Sequence, residues 1–329
     1  DRLDALARTP AQQVRARVQR AHLAYMCGEA TRAETLADEA LRQALRDGLD
    51  DALVVQCRHH LATALAAQTR GREALVHLEA MLPWVQAQAD DAFRTEFHAS
   101  LSTAYEDVGR LKDARVQHGL AVAAARRAGQ HGNIALTLAN LGTHLVISGR
   151  PAEADAHYAQ ARLVRTQDAD AASLDAFIAL GQAGGDYTQG RYARALATLA
   201  EADAGLGRFA PAYRPAALSH LVVVWARLGQ WARVQQAQAA VEAESGGQPS
   251  PNFVLRRALL NDELAEAAGR APVPGALAEV VAATRGAAVP DMHWIAEVQA
   301  VLQMPGGAAL DRAEPLIDRL RREGHDGAL

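Results

Sequence analysis

Lysine is almost missing from this chain: Lys112 stands alone among 34 basic residues, and the rest are arginine. An arginine-only surface would suit guanidinium recognition of phosphates or carboxylates, but codon bias in a GC-rich genome produces the same composition with no function attached. Cysteine is scarce too. Cys27 and Cys57 both sit inside apolar helical patterns, which excludes a disulfide framework and suits small buried hydrophobes in a reducing compartment. Long apolar runs are absent. The most conspicuous, Leu221 to Trp225, is far short of the ~20 residues that cross a bilayer. No signal-type segment opens the chain. A cytoplasmic protein with no membrane partner is expected.

A basic surplus is missing as well. The net charge is −4 and the pI about 6.3, with acids and bases interspersed. That lacks the basic stripe of a nucleic-acid binder, so no direct nucleic-acid contact is expected from this region. It lacks the acidic block of a tail protein as well.

Catalytic motifs are missing in turn. No GxxxxGK[ST] occurs, and Leu111 precedes the single lysine. HExxH, GxSxG and EF-hand loops are also absent. Gly205-Leu-Gly207-Arg-Phe-Ala210 matches the dinucleotide fingerprint in letters. A helix and not a strand precedes it and Pro211 follows, so it reads as a loop between repeats. His59 and His60 are adjacent on a helix and point about 100° apart, which disfavours chelation, and neither has a histidine four residues away. Asp168 and Asp170 read as caps at a turn. Arg126-Arg127 and Arg256-Arg257 read as solvated faces. The expectation is a non-enzyme without cofactor or metal.

What the chain does hold is a repeat. LSTAYEDVGRLKDARVQHGLAVA from Leu101 is answered forty residues later by LGTHLVISGRPAEADAHYAQARL. Self-similarity at this period marks stacked supersecondary units. Ala33, Ala74, Ala114, Ala154, Ala195 and Val234 form one column, at spacings of 41, 40, 40, 41 and 39. Five residues earlier stand Gly28, Thr69, Gly109, Gly149, Gly190 and Gly229. Glycine ends a helix there, because φ > 0 costs it least. Twelve earlier stand Ala21, Ala62, Ser102, Gly142, Ala183 and Val222; seven later stand Ala40, Met81, Ala121, Ala161, Ala202 and Val241. Small residues there let helix axes approach.

The remaining apolar residues keep helical spacing, as in Phe93, Phe97, Leu101 and Tyr105. Thr9-Pro10 with Gln12 reads as a capping box, and so does Thr31 with Glu34. Short Asp-rich junctions predict antiparallel neighbours. Six regular two-helix units are expected at about 9–48, 50–89, 90–130, 131–168, 170–208 and 211–245. Degenerate units and a capping helix should fill 250–329, giving seven to eight hairpins. Asp1 stands inside a helical pattern, so the chain reads as a piece of a longer protein.

These small–Gly–Ala–Ala columns resemble the tetratricopeptide repeat, lengthened from its usual period. Tyr105 and Trp225 occupy the family's tyrosine position, whereas Ala24, Leu65, Leu145 and Asp186 depart from it. The lengthened form looks like the sensor region of MalT-type, ATPase-linked bacterial transcriptional regulators. It is also similar to peptide-responsive regulators of the Rap/PlcR kind. The resemblance implies an all-α, right-handed solenoid whose first helices line a concave face. It implies a protein or peptide partner there, or a small effector. Carried over residue by residue, the groove would hold Arg15, His22, Tyr25, Gln56, His59, Thr63, Glu96, Ser100, Thr103, Asn140, Thr143, Tyr187, His220 and Arg227. The Lys/Asn/Arg clamp of chaperone-binding members is absent apart from Asn140.

Overall fold

The computed structural model describes residues 7–27, 29–68, 70–165, 171–209, 214–244, 251–284 and 290–323. Among these are seventeen helices and no strand. No described helix is long and apolar enough to cross a membrane. Gly28, Thr69, Asp168, Asp170, Pro211 and residues 246–250 fall outside the described set. Two compact units divide the chain, Asp1–Ala128 and Gly129–Leu329.

The first unit holds α1 (Pro10–Met26), α2 (Ala30–Arg46), α3 (Asp51–Ala66), α4 (Gly71–Glu79), α5 (Leu82–Gln88), α6 (Asp91–Asp107) and α7 (Leu111–Ala128). Side-chain caps start α1, α3 and α6. Thr9 and Gln12 close the expected box ahead of Pro10. Asp50 accepts from the Leu53 amide and Asp90 from the Phe93 amide, each at 2.8 Å. Such caps satisfy amides that have no partner within the helix.

Two expectations fail in this unit. Thr31 is not a cap, because α2 already starts at Ala30. The Glu29 amide closes back on the Ala24 carbonyl at 2.9 Å, so the chain enters α2 directly. Glu34 is taken instead by Arg70 at 2.7 Å and Gln68 at 2.8 Å. The partner of α3 is also split in two, at Ala80-Met81. Pro83 has no amide hydrogen and fits only the first turn of a new helix, α5.

The second unit holds α8 (His131–Ile147), α9 (Pro151–Val164), α10 (Ala171–Thr188), α11 (Tyr192–Phe209), α12 (Arg214–Arg227), α13 (Trp231–Glu244), α14 (Pro251–Ala267), α15 (Ala276–Ala283), α16 (Pro290–Leu302) and α17 (Gly306–Glu323). Gly205 and Gly207 lie inside the last turns of α11 and not in a loop. Leu206, between the two glycines, is fully buried in the core of this unit, and Asp203 pairs with Arg214 of α12 at 2.7 Å.

Packing is local in sequence. In the first unit α1 packs on α2 and α3, and α3 on α6. In the second, α8 meets α10, α10 meets α12, α12 meets α14, and α14 meets α16. The first helices of successive pairs therefore lie side by side in each unit. Every described member of the three small-residue columns is buried. Gly109 and Gly149 turn the chain at φ +77° and +74°, and the turn recurs at Gly190, Gly229 and Gly269. Each turn closes with an amide reaching back five residues, such as Arg110 to Tyr105 at 2.8 Å and Arg270 to Ala265 at 2.8 Å.

The residue after the turn is usually arginine, and it stitches pairs together. Arg70 joins Glu73 of its own helix and Glu34 of the preceding pair. Arg191 joins Asp155 in the same way at 2.8 Å. It also meets Asp186, whose side chain is fully buried where the family pattern has tyrosine. Arg194 reaches the same carboxylate at 3.0 Å. Burying a carboxylate costs free energy, which ion-pair partners of this kind offset. This accounts for the departure from tyrosine at that position.

Asp107 lacks such help. Its Oδ2 is buried with no hydrogen-bond partner among the described residues. It sits against Gly71, where a Cβ would fall 3.2 Å from that oxygen and 2.3 Å from the Asp107 Cβ. Burial, aided by neighbouring Glu106, pushes its pKa from 3.8 up to about 7. The folded state thus holds its proton where the unfolded chain releases it. Stability from this group is full below pH ~4 and falls as pH rises toward 7. Asp107→Asn should therefore leave stability near unchanged at pH 4 and raise it by roughly 2–4 kcal/mol at pH 8. Urea unfolding at the two pH values measures this, and an equal change at both would contradict it.

Candidate ligand groove

In the first unit, α1, α3 and α6 present one helix face each to a shared surface. At its centre is a chain of rings. The His22 ring meets His60 edge-on at 5.4 Å, His60 lies 5.8 Å from His59, and His59 lies 5.5 Å from Phe93. Trp84 of α5 closes the far end, 5.8 Å from Phe93. His59 Nε2 is 3.0 Å from the Ser100 hydroxyl.

His59, a groove position by register, is buried at 7% exposure. The Phe93 ring and the neighbouring Ser100 cover it from α6. Burial, reinforced by the other two histidines, lowers its pKa to about 4. His60 is lowered to about 4 as well, mainly by burial and then by His22. Both rings are neutral near pH 7 and act as hydrogen-bonding groups. Glu96 is exposed on the same side of α6. Desolvation raises its carboxyl above the usual range, and His22 partly offsets this.

Thr63 and Thr103 are less available. Thr63 donates to the His59 carbonyl at 2.7 Å and Thr103 to the Ala99 carbonyl at 3.2 Å. Tyr25 is 37% exposed near the end of α1. Arg15 and Gln56 sit apart from the rings, in a cleft of about 260 Å³ also lined by Val18, Gln19, Asp50, Ala52 and Leu53. Among residues named from sequence, the first unit thus groups His22, His59, Ser100 and Glu96 in one place and Arg15 and Gln56 in another. His60, Trp84 and Phe93 were missed. The 100° divergence of adjacent helical side chains, read as evidence against chelation, is what lets His60 reach His22 of α1 while His59 turns toward α6.

In the second unit Asn140 and Thr143 are half-buried on α8. The Thr143 hydroxyl lies 3.2 Å from the hydroxyl of the buried Tyr158. Tyr187 and Arg227 come together. The Tyr187 hydroxyl donates to Glu263 Oε2 at 2.5 Å, spanning from α10 to α14. Arg227 of the intervening α12 bonds the same tyrosine, which holds its own pKa up. It also lies 3.8 Å from Glu266. Desolvation raises the Glu263 carboxyl, and the hydrogen bond from Tyr187 and the nearby charge of Arg227 partly offset this. His220 is half-buried, 3.8 Å from where Gly184 would carry a Cβ. Glu263 lies in the weakly patterned C-terminal part of the sequence and carried no signal there.

No family model matches this sequence, and no curated protein matches it. Solved structures do. The chain is similar to NprR in complex with its cognate peptide NprX, with a TM-score of 0.65 and 15% identity over 93% of this chain and 83% of that one. It is similar to the apo form of the quorum sensor NprR from B. thuringiensis, with a TM-score of 0.61 and 14% identity over 97% and 88% of the two chains. It is also similar to a Rap protein complexed with competence and sporulation factor, with a TM-score of 0.63 and 13% identity over 97% and 99%. The fold is an all-α, tetratricopeptide-like solenoid of antiparallel helix pairs.

Proposed function

We propose that this chain is a non-catalytic, ligand-sensing solenoid of a bacterial signalling protein, and that it takes a short peptide along its row of first helices. The observation that carries this is the surface of α1, α3 and α6. There neutral imidazoles, aromatic rings and the exposed Glu96 lie together at the edge of the core, against which Phe93 and Trp84 pack. Solenoids use such surfaces for extended partners. Peptide-bound NprR shares the architecture over most of both chains, which favours a peptide over a folded partner. Coupling to transcription would come from a DNA-binding segment elsewhere in the parent protein, the arrangement that MalT-type regulators use. The region itself contacts no nucleic acid or membrane and works in the cytoplasm.

A bead-displayed library of short linear peptides tests the reading. The wild-type chain should enrich a consensus sequence, and His22→Ala with Glu96→Gln should weaken its binding about tenfold or more, a loss of ~1.4 kcal/mol. Absence of any consensus, or a consensus indifferent to both changes, would sink the assignment. Capture of a folded protein instead would point to a scaffold.

A further inference from the structure

The cleft between α1 and the start of α3 lies about one helical turn from the ring cluster, since Gln19 precedes His22 by three residues and Gln56 precedes His60 by four, and its wall chemistry differs. Arg15 supplies a guanidinium that makes no ion pair with any described residue. Gln19 and Gln56 supply two carboxamides, neither with a side-chain hydrogen bond to a described residue. Asp50 supplies a carboxylate, of which Oδ1 is occupied in capping α3 at the Leu53 amide. Val18 and Leu53, each 2% exposed, form an apolar floor beside Ala52. The two opposite charges share the cleft without pairing with each other. At about 260 Å³ it is smaller than the ~300–1,000 Å³ of a drug-sized site and suits a metabolite.

We infer that this cleft binds a free L-α-amino acid with a small aliphatic side chain. Arg15 would take the α-carboxylate, the interaction its planar fork serves best. Asp50 would take the α-ammonium, and the two glutamines fix the orientation between them. Val18, Ala52 and Leu53 receive the aliphatic side chain. A peptide offers only one charged terminus to a cleft this size and leaves the other pole unmatched. Occupancy of the cleft needs no peptide in the groove, so this site and the peptide reading stand or fall separately.

Isothermal titration of the full chain with L-valine, N-acetyl-L-valine and L-valinamide tests the proposal. L-valine should bind saturably. Each blocked analogue should bind about tenfold more weakly or worse, because a charged hydrogen-bonding pole is lost. Arg15→Gln should cost a similar factor for L-valine, and Asp50→Asn should do so while keeping the cap on α3, since asparagine caps as well as aspartate. No saturable heat with L-valine overturns the proposal. So does N-acetyl-L-valine binding as tightly as L-valine, or Arg15→Gln leaving affinity unchanged in a protein whose helical content is intact.

Discussion

Gly142→Leu should destabilise the second unit by about 3 kcal/mol or more. A Cβ at Gly142 would lie 2.8 Å from Tyr158 Cε1 and 2.9 Å from Cζ, closer than real Cβ atoms come to a neighbour. The ring cannot retreat. Tyr158 is only 1% exposed, and Gly181 of α10 lies against its other end, with a Cβ position 2.6 Å from the hydroxyl. Two glycines on successive first helices thus form the slot into which one tyrosine of α9 fits. Leucine must displace the ring, break its contact with Thr143 and push two helix pairs apart. Urea unfolding read by far-ultraviolet dichroism gives the loss. Shortening the wedge tests the cause: Tyr158→Ala should lower the cost of Gly142→Leu, because the intruding side chain then finds space. A neutral Gly142→Leu would mean that this helix crossing is not where the repeat register puts it.

That crossing was legible in the sequence, and the reason is general. A position that must be small recurs in every unit, so Ala21, Ala62, Ser102, Gly142, Ala183 and Val222 stand in line although the residue types differ. The turn glycines align for a similar reason, since a left-handed residue closes the turn between the two helices of a pair at Gly109, Gly149, Gly190 and Gly229. Gly269, forty residues after Gly229, carries the same turn into the C-terminal part, where the apolar pattern alone had faded. Breaks that arise from one residue, such as Pro83 splitting the partner of α3, do not repeat and so had no column to reveal them.

The candidate groove was less legible. Helical register says which face a side chain occupies, and it put His59 and Ser100 in one set, where their side chains lie 3.0 Å apart. It cannot say how deep a side chain sinks. Phe93 comes from the apolar series and lies against His59, and Trp84, from a helix created by the Pro83 break, backs Phe93. Asp50 looked like a cap and is one, but its second role in the cleft depends on Arg15, thirty-five residues away on the neighbouring helix.

The enclosed histidines should make the first unit sensitive to acid. The folded state lowers both His59 and His60 from 6.5 to about 4. An unfolded chain therefore takes up protons first. The stability tied to these neutral rings is complete above pH ~6.5 and is lost as pH falls toward 4. The shift corresponds to at most ~3 kcal/mol for each ring. The sum is smaller than twice that, because part of each shift is repulsion from neighbouring histidines that are themselves neutral over most of the range. His22 faces the pair from α1, and Glu96 and Ser100 face it from α6. Asp107 acts in the opposite direction over the same interval, gaining stability as pH falls, so the wild-type curve should look flatter than either group alone. Asp107→Asn removes that counterweight. In that background, urea unfolding between pH 7.5 and pH 4.5 should show a loss of roughly 2–4 kcal/mol, and adding His59→Gln and His60→Gln should abolish most of the slope. A slope that survives both glutamines would place the acid sensitivity outside this ring cluster.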